Sequence, residues 1–595
     1  MGVVTARGVA GGAMLIGAIT VLARATGFAK QYVFAQTVGT NCLSTAYMTA
    51  NQIPNIVFEV VVGGALAGMV VPVLAGTTGG SEQERARASR IGSALLTWVV
   101  AVLVPLAVLA ALFAGPIVGL FFGEALKNCD VDQITAVAAR MLVVFAPQIP
   151  LYGVAVVLYG VLQAHRRFAG PAVAPLVSSI VVIVAYLLFV PLSDGFTPHG
   201  DDRDVLAGLP RPAELALSVG TSLGVLSLVL AVLGPTSALG LRWRPTLRFP
   251  DGVAVQVRRL ALAGVAALLA QQAATVVVVL LSNNAIGNGA LTVYNYAWAI
   301  YVVPYAVLAV PIATSAFPRL AAQAGDREAF AALAARTTRA VVLVSGLAAG
   351  VLAAASGPGS VVFLGGKSDV PPDQMAAAVA LFAPGLVGYG LLAHLGRVLY
   401  AAGRGREAAA GTVAGWVVVM AAQAGFVWLL PEAWKIGGMA LGMTAGMTAG
   451  GVLLLVAVVR ARGRAAAAGL GRAVLAAGAG GLLGYLAGAE VADLFAPHGV
   501  GPRVVVTVLA TVLAAVVALA VGAAVAALTD RADARAVLGL LRRGGGAGDG
   551  ADSSDGGDRR DGDRNDGGDG GAGDRNDDSG GGDGGAGNRH YGNDG

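Results

Sequence analysis

Charge is what this sequence has least of. Aspartate, glutamate, lysine and arginine make up 13% of its 595 residues, too few to solvate the surface of soluble domains of that combined size. Lysine is almost missing and occurs only at positions 30, 127, 367 and 435. The chain has two cysteines, Cys42 and Cys129, which excludes a disulfide-stapled scaffold. Both fall in loops expected on one outward-facing side, where a single bridge stays open because spacing alone does not decide pairing. Metal-ligand spacing, a phosphate-cradling glycine loop and a nucleophile elbow are all missing from the motif record. No metal, cofactor or enzymatic chemistry is therefore expected.

What is present is apolar. Hydrophobic residues reach 56% and the mean hydropathy is +0.72, which places the chain among all-α, polytopic membrane proteins. The net charge of +5 and the isoelectric point near 9.3 do not indicate a nucleic-acid binder. The basic residues sit in short clusters between apolar runs and do not share one soluble face.

The first apolar segment, about Val9 to Thr37, is too long for the core of a signal peptide and lacks a clean cleavage site. It is expected to remain as the first span. At about 20 apolar residues per crossing, about fourteen spans follow: 9–37, 43–75, 91–122, 133–163, 171–193, 212–239, 257–282, 290–317, 333–357, 373–402, 408–430, 436–459, 470–490 and 503–528. Pro147 and Pro150 are expected to kink or break the fourth. The loop charges alternate in support: lysines and arginines from Arg7 to Arg543 fall about 25 to 6 on the side that holds both termini, which the positive-inside tendency makes cytoplasmic.

Two matches at similar displacement suggest an internal repeat. V-L-x-A-x-x-R occurs at 161–167 and 398–404, and P-x-L-A at 72–75 and 318–321. The expected organisation is a six-helix bundle over 1–240, a second over 241–460, an extra helix pair over 461–530, and a tail over 531–595. That tail is rich in Gly and Asp and has almost no side chain that could repay ordering entropy, so it is expected to be disordered. Paired helix bundles of this kind commonly enclose a site near the membrane midplane and work by alternating access.

Several polar residues interrupt the apolar runs. In the second span Gln52, Asn55, Glu59 and Gly63 fall at i, i+3, i+7 and i+11, one face of a helix. The first span carries Arg24 near its middle, Gln31 seven residues later, and Lys30. A carboxylate or guanidinium inside a membrane needs a partner or a water-filled cavity, so Arg24 and Glu59 are expected to compensate one another or face a shared cavity. Weaker candidates are Gln271 and Gln272, Asn295 and Trp298 in an aromatic cluster, and His394 with Arg397. For Arg397, snorkelling to the interface competes with a site role.

Four stretches carry a family resemblance: ARATGFAKQ at 23–31, NQIPNIVFEVVVGGALAGMVVPVLA at 51–75, GVLQAHRRFAGPAVAPLV at 160–177, and TVYNYAWAIYVVPYAVLAVPIATSAFPRLA at 292–321. Together they resemble the MviN-type lipid II flippase (MurJ) family of the multidrug/oligosaccharidyl-lipid/polysaccharide exporter superfamily, over about residues 10–530. The resemblance implies movement of a polyprenyl-diphosphate-linked cell-wall precursor from the inner to the outer leaflet of the bacterial cytoplasmic membrane, in contact with membrane lipids and cell-wall synthesis proteins. It also implies a cationic cavity, because Arg offers a fixed fork of donors to phosphate oxygens. The family's first-helix pattern is kept as Arg24, Gly27, Phe28 and Lys30. Gln31 stands where the family usually has an acidic residue, Phe58 and Glu59 where it has arginines, and Trp298 and Ala299 where it has an Asp-Arg pair. Competing readings are a drug or small-cation antiporter of the same superfamily and a non-transporting scaffold for wall synthesis.

Overall fold

A lipid-spanning backbone must satisfy its own hydrogen bonds, which leaves helices as the solution for apolar runs rich in Ala, Leu and Val. The computed structural model describes residues 6–60, 70, 73–74, 81–124, 126, 129–196, 205–250, 253–365, 368–495, 504–531 and 535; for 6–16, 205 and 254–264 it describes the backbone alone. All of them belong to one compact unit, Met1–Gly546. Gly63 and the tail beyond 535 lie outside the described residues.

The first part of the chain forms Ala6–Thr37 (α1), Cys42–Phe58 (α2), Glu82–Leu112 (α3), Ala114–Gly119 (α4), Val131–Phe145 (α5), Gln148–Ala164 (α6), Ala169–Leu192 (α7) and Arg211–Ser237 (α8). The second part forms Val253–Leu281 (α9), Ala290–Pro304 (α10), Val310–Ala322 (α11), Arg327–Ala354 (α12), Ser356–Leu364 (α13), Pro372–Phe382 (α14), Gly385–Ala401 (α15), Gly405–Leu429 (α16) and Lys435–Arg462 (α17). Leu470–Leu494 (α18) and Val504–Thr529 (α19) complete the helices. Among the described residues the only β pairing is two isolated bridges, Thr40 with Ser368 and Leu126 with Cys129.

Among the described residues eleven helical stretches are long and apolar enough to cross a membrane, or twelve if α14 and α15, bent by 42°, count as one. The chain is a multi-pass membrane protein. α1 and α2 are not among those twelve; they carry Arg24, Lys30, Gln31, Gln52 and Asn55 of the polar residues singled out above.

Local chemistry explains the boundaries. Asn41 and Ser44 cap the start of α2 reciprocally, Ser44 N–H donating to Asn41 Oδ1 at 3.0 Å and Asn41 N–H to Ser44 Oγ at 2.9 Å. Ser81 and Glu84 do the same for α3. The fourth span is interrupted after Phe145 and resumes at Gln148, because Pro147 has no N–H to donate back into the helix. A second Phe-Ala-Pro, at 382–384, interrupts α14/α15 in the same way.

α1 packs on α7, α2 on α5, α3 on α6, and α8 on both α6 and α7. Further along the chain α9 packs on α16, α10 on α14, and α12 on α15, while α17 lies against α14, α15 and α16. The α18/α19 hairpin rests on α12 through small residues. A Cβ on Gly484 would stand 2.4 Å from the Ala518 carbonyl oxygen, and one on Gly350 2.3 Å from that of Gly481. Backbones this close are the usual means of holding helices together where lipid removes the hydrophobic drive.

Candidate functional site

The two groups of helices meet at the end of the bundle that carries the disulfide. Cys42, on the first turn of α2, is bonded to Cys129, with their Cα atoms 5.9 Å apart; this closes the question the sequence left open. Around it runs a belt of hydrogen bonds between distant parts of the chain. Thr40 Oγ1 meets Ser368 Oγ, Asp369 N–H donates to Thr40 C=O at 3.1 Å, and Gly289 N–H donates to Thr45 Oγ1 at 2.9 Å. Thr292 Oγ1 meets Ser44 Oγ at 3.1 Å. Asn283, in the π-helical turn after α9, is 1% exposed and donates through Nδ2 to Thr49 Oγ1 at 3.1 Å and to Phe121 C=O at 3.2 Å. These contacts shut the disulfide end.

Behind that seal lies a chamber of about 290 Å³. α2 contributes Gln52 and Asn55 and its C-cap residue Glu59, α9 contributes Gln271, Gln272 and Thr275, and α10 contributes Tyr294, Asn295 and Trp298. The opposite wall is Trp416, Val419 and Met443. The helical spacing of Gln52, Asn55 and Glu59 is what aims them together, and Tyr152 of α6 holds Asn55 in place by donating to its Oδ1 at 3.3 Å. Among the described residues the lining offers several amides and aromatic faces, one carboxylate, and no lysine or arginine.

A second cavity, of about 530 Å³, follows the first along the same helix. The chamber uses α10 residues 291–298; the second cavity uses 299–303 and, in the π-helical turn Tyr305–Ala309 that continues α10, Ala306 and Val307. Its other walls are α1, with Thr20, Arg24 and Gln31, and α7, with Pro171, Pro175 and Ser179. It combines a guanidinium and a few hydroxyl and amide groups with apolar walls.

Seven of the sequence candidates, Gln52, Asn55, Glu59, Gln271, Gln272, Asn295 and Trp298, are therefore gathered in one chamber, and Arg24 and Gln31 in the next. Among the described residues no ion pair joins Glu59 to Arg24 or Lys30, and the expected shared cavity is divided in two. The reason is which neighbour each helix takes: α1 lies against α7, whereas α2 lies against α5 and α6. Lys30 is half-buried and lines neither cavity. His394 also lies outside both, fully buried, with Nε2 3.0 Å from Thr337 Oγ1. Arg397 donates to the Ala393 carbonyl at 2.7 Å.

Sequence reasoning missed Gln423, which is fully buried on α16 and donates to the Tyr294 hydroxyl at 2.9 Å and the Met439 carbonyl at 3.1 Å, fixing a chamber wall. Its signal was a lone amide in an otherwise apolar run. Arg140 and Glu214 were also passed over. They form a bidentate pair at 2.8 and 2.9 Å that ties α5 to α8 away from either cavity.

Similarity to known proteins points in one direction. A curated lipid II flippase MurJ of Burkholderia cenocepacia is 26% identical over 180 residues, 30% of this chain and 34% of that protein. A probable lipid II flippase MurJ of Synechocystis sp. is 26% identical over 182 residues, 30% of this chain and 32% of that protein. The chain thus matches about a third of the length of these curated relatives. A solved lipid II flippase MurJ in an inward closed conformation shares the fold, with a TM-score of 0.64 at 17% identity, over 85% of this chain and 98% of that one. An inward-facing multidrug resistance transporter of the MATE family and MOP superfamily shares it less closely, with a TM-score of 0.57 at 14% identity, over 76% of this chain and 94% of that one. The family model described as lipid II flippase MurJ matches residues 34–528, and the chain belongs to that family.

Proposed function

We propose that this protein moves a polyprenyl-diphosphate-linked cell-wall precursor, lipid II or a close relative, from the inner to the outer leaflet of a bacterial cytoplasmic membrane by alternating access, without covalent chemistry. The observation that carries this reading is the succession along α10 of a guanidinium-bearing cavity and an amide-lined chamber, sealed at one end by hydrogen bonds between distant segments. Arg24 suits the diphosphate, and the neighbouring apolar walls suit the start of a lipid chain. The amides and aromatic rings of the chamber suit sugar hydroxyls and peptide groups. Family membership supports the same substrate class.

In this reading the arginine-rich end of the bundle is cytoplasmic, the disulfide end faces outward, and the structure is the outward-closed state. The organisation is two six-helix halves, 1–240 and 241–460, rocking about the α10 region, with the 461–530 pair beside them. α1 and α2 supply the two spans that bring twelve to fourteen. The test is reconstitution of the full chain in proteoliposomes with lipid II labelled on its head group. Time-dependent exposure of the label in the opposite leaflet is expected, and its loss in Arg24→Ala at equal insertion. Equal flipping of a zwitterionic phospholipid would remove the assignment.

One observation favours a second reading. Glu59 lines a chamber with no cationic side chain among its described residues, which would also suit the cationic substrate of an antiporter. Efflux of a small organic cation driven by a proton or sodium gradient, abolished in Glu59→Gln, would identify that activity.

A further inference from the structure

The non-helical segment 241–250, which links α8 to α9, is clamped along α3 in a regular register. Arg242 N–H donates to Ser89 Oγ at 3.2 Å, Arg244 N–H to Ser93 Oγ at 3.0 Å, and Thr246 N–H to Thr97 Oγ1 at 3.1 Å. Every second residue of the segment thus meets every fourth residue of the helix. The match is geometric: two residues of extended chain advance about 6.6–6.8 Å and four residues of α-helix about 6.0 Å. Trp98 completes the clamp by donating its ring N–H to Leu247 C=O at 3.0 Å.

That register sorts the segment's side chains. Leu241 is buried and Trp243 packs over Gly92, while Arg242, Arg244 and Arg248 are exposed. Arg85 and Arg90 of α3 face them across a cleft of about 1010 Å³, with Glu82 the one carboxylate among the described residues of its lining. Among the described residues none of the five arginines has a carboxylate partner. Five guanidinium groups held this close repel one another, and a chain that tolerates the arrangement in an exposed cleft gains most from a polyanion.

We propose that this cleft is a binding site for a phosphate-bearing lipid head group of the leaflet at the arginine-rich end, separate from the translocation cavities. The lipid assignment comes from what lies beside the arginines. Trp98 is 45% exposed and Leu247 53%, and beyond them α3 turns Val100, Val102 and Val104 outward. The cleft therefore opens onto the lipid-facing surface at the depth where a tryptophan marks the membrane interface. A ligand fitting both parts has an anionic head and an apolar tail, and basic pockets at this depth recognise such head groups. Because the segment is the covalent link between the two halves proposed above, head-group binding would hold that link against α3. This last point, unlike the site itself, rests on the alternating-access reading.

The experiment counts bound lipids on the full chain in detergent by native mass spectrometry, with phosphatidylglycerol and phosphatidylcholine as probes. Wild type is expected to retain at least one phosphatidylglycerol that phosphatidylcholine does not displace, with apparent affinity at least tenfold higher. The triple variant R242Q/R244Q/R248Q should lose that preference. R404Q/R406Q/R460Q, with equal charge removed from the same end outside the cleft, should keep it. S89A/S93A/T97A, which leaves every arginine in place but removes the three acceptors, should weaken it several-fold. Equal retention by both arginine triples, or displacement of the lipid by an equimolar amount of inorganic phosphate, would overturn the proposal. Neither result bears on lipid II flipping, so the two readings fail separately.

Discussion

Asn283→Ala should loosen the seal at the disulfide end. In the closed arrangement Asn283 makes two hydrogen bonds, to Thr49 Oγ1 and to the Phe121 carbonyl, in a site 1% exposed. A buried hydrogen bond contributes about 0.5–1.5 kcal/mol net, and an orphaned partner adds its own desolvation cost. In an opened seal Thr49 and Phe121 would be hydrated, so the penalty falls on the closed state alone. Loss of both bonds then shifts the equilibrium toward opening by about 1–3 kcal/mol, or roughly 5- to 150-fold in population.

Thiol labelling reads this directly. The two native cysteines are joined to each other, so a cysteine placed at Thr275, on the chamber wall, is the one reactive thiol. Its rate of modification by an impermeant reagent added from outside should rise by that factor in Asn283→Ala and stay at background in the parent. Thr49→Ala removes one of the same two bonds, so combining it with Asn283→Ala should add little beyond the stronger single change. An unchanged or slower rate at normal insertion would refute the claim that these bonds close the outer end.

Three further outcomes are expected. Arg24→Ala and Glu59→Gln should act additively on substrate binding, because they line separate cavities; a coupling energy above about 1 kcal/mol in the double-mutant cycle would mean that they meet in the working carrier. Gly484→Ala should lower the thermal stability of the purified protein by about 1–3 kcal/mol through overpacking against the Ala518 carbonyl, whereas Gly471→Ala, with nothing within 4 Å of the new Cβ, should be neutral. Single cysteines at Ser81 and Gly405 should be shielded from an impermeant reagent in intact cells and one at Gly200 should label; labelling at Ser81 would reverse the orientation.

How much of this was legible depended on whether the signal was local. Gln52, Asn55 and Glu59 could be read because polar groups in an apolar helix are costly and their spacing alone gives the face they share. The seal could not. Thr40, Thr45, Asn283, Asn288 and Ser368 are small polar residues at helix ends, which the sequence presents as ordinary loop composition. Their partners across the seal lie from 81 to 328 positions away. Gly480, Gly484 and Gly488 read as helix-weakening residues until the neighbouring backbone of α19 is in view.

Two misreadings share a cause. The break at Pro147 was expected and that at Pro384 was not, although 145–153 and 382–390 both read F-A-P-x-x-x-x-Y-G. Their displacement, 237, equals that of the V-L-x-A-x-x-R match. Reading one span at a time hid a pattern that comparison between spans contains. The tyrosine of each motif sits beside the interior: Tyr152 donates to Asn55, and Tyr389 stacks on Tyr305 with ring centroids 4.0 Å apart. The expected meeting of Arg24 with Glu59 came from the same habit of pairing successive helices. Similar depth on antiparallel spans constrains height but leaves rotation and neighbour choice free. Here α1 turned its guanidinium toward α7 and α10. A carboxylate and a guanidinium that would have neutralised each other in one cavity instead give two cavities of different chemistry, which is what the proposed head group, anionic at one end and rich in hydroxyl and amide groups at the other, would require.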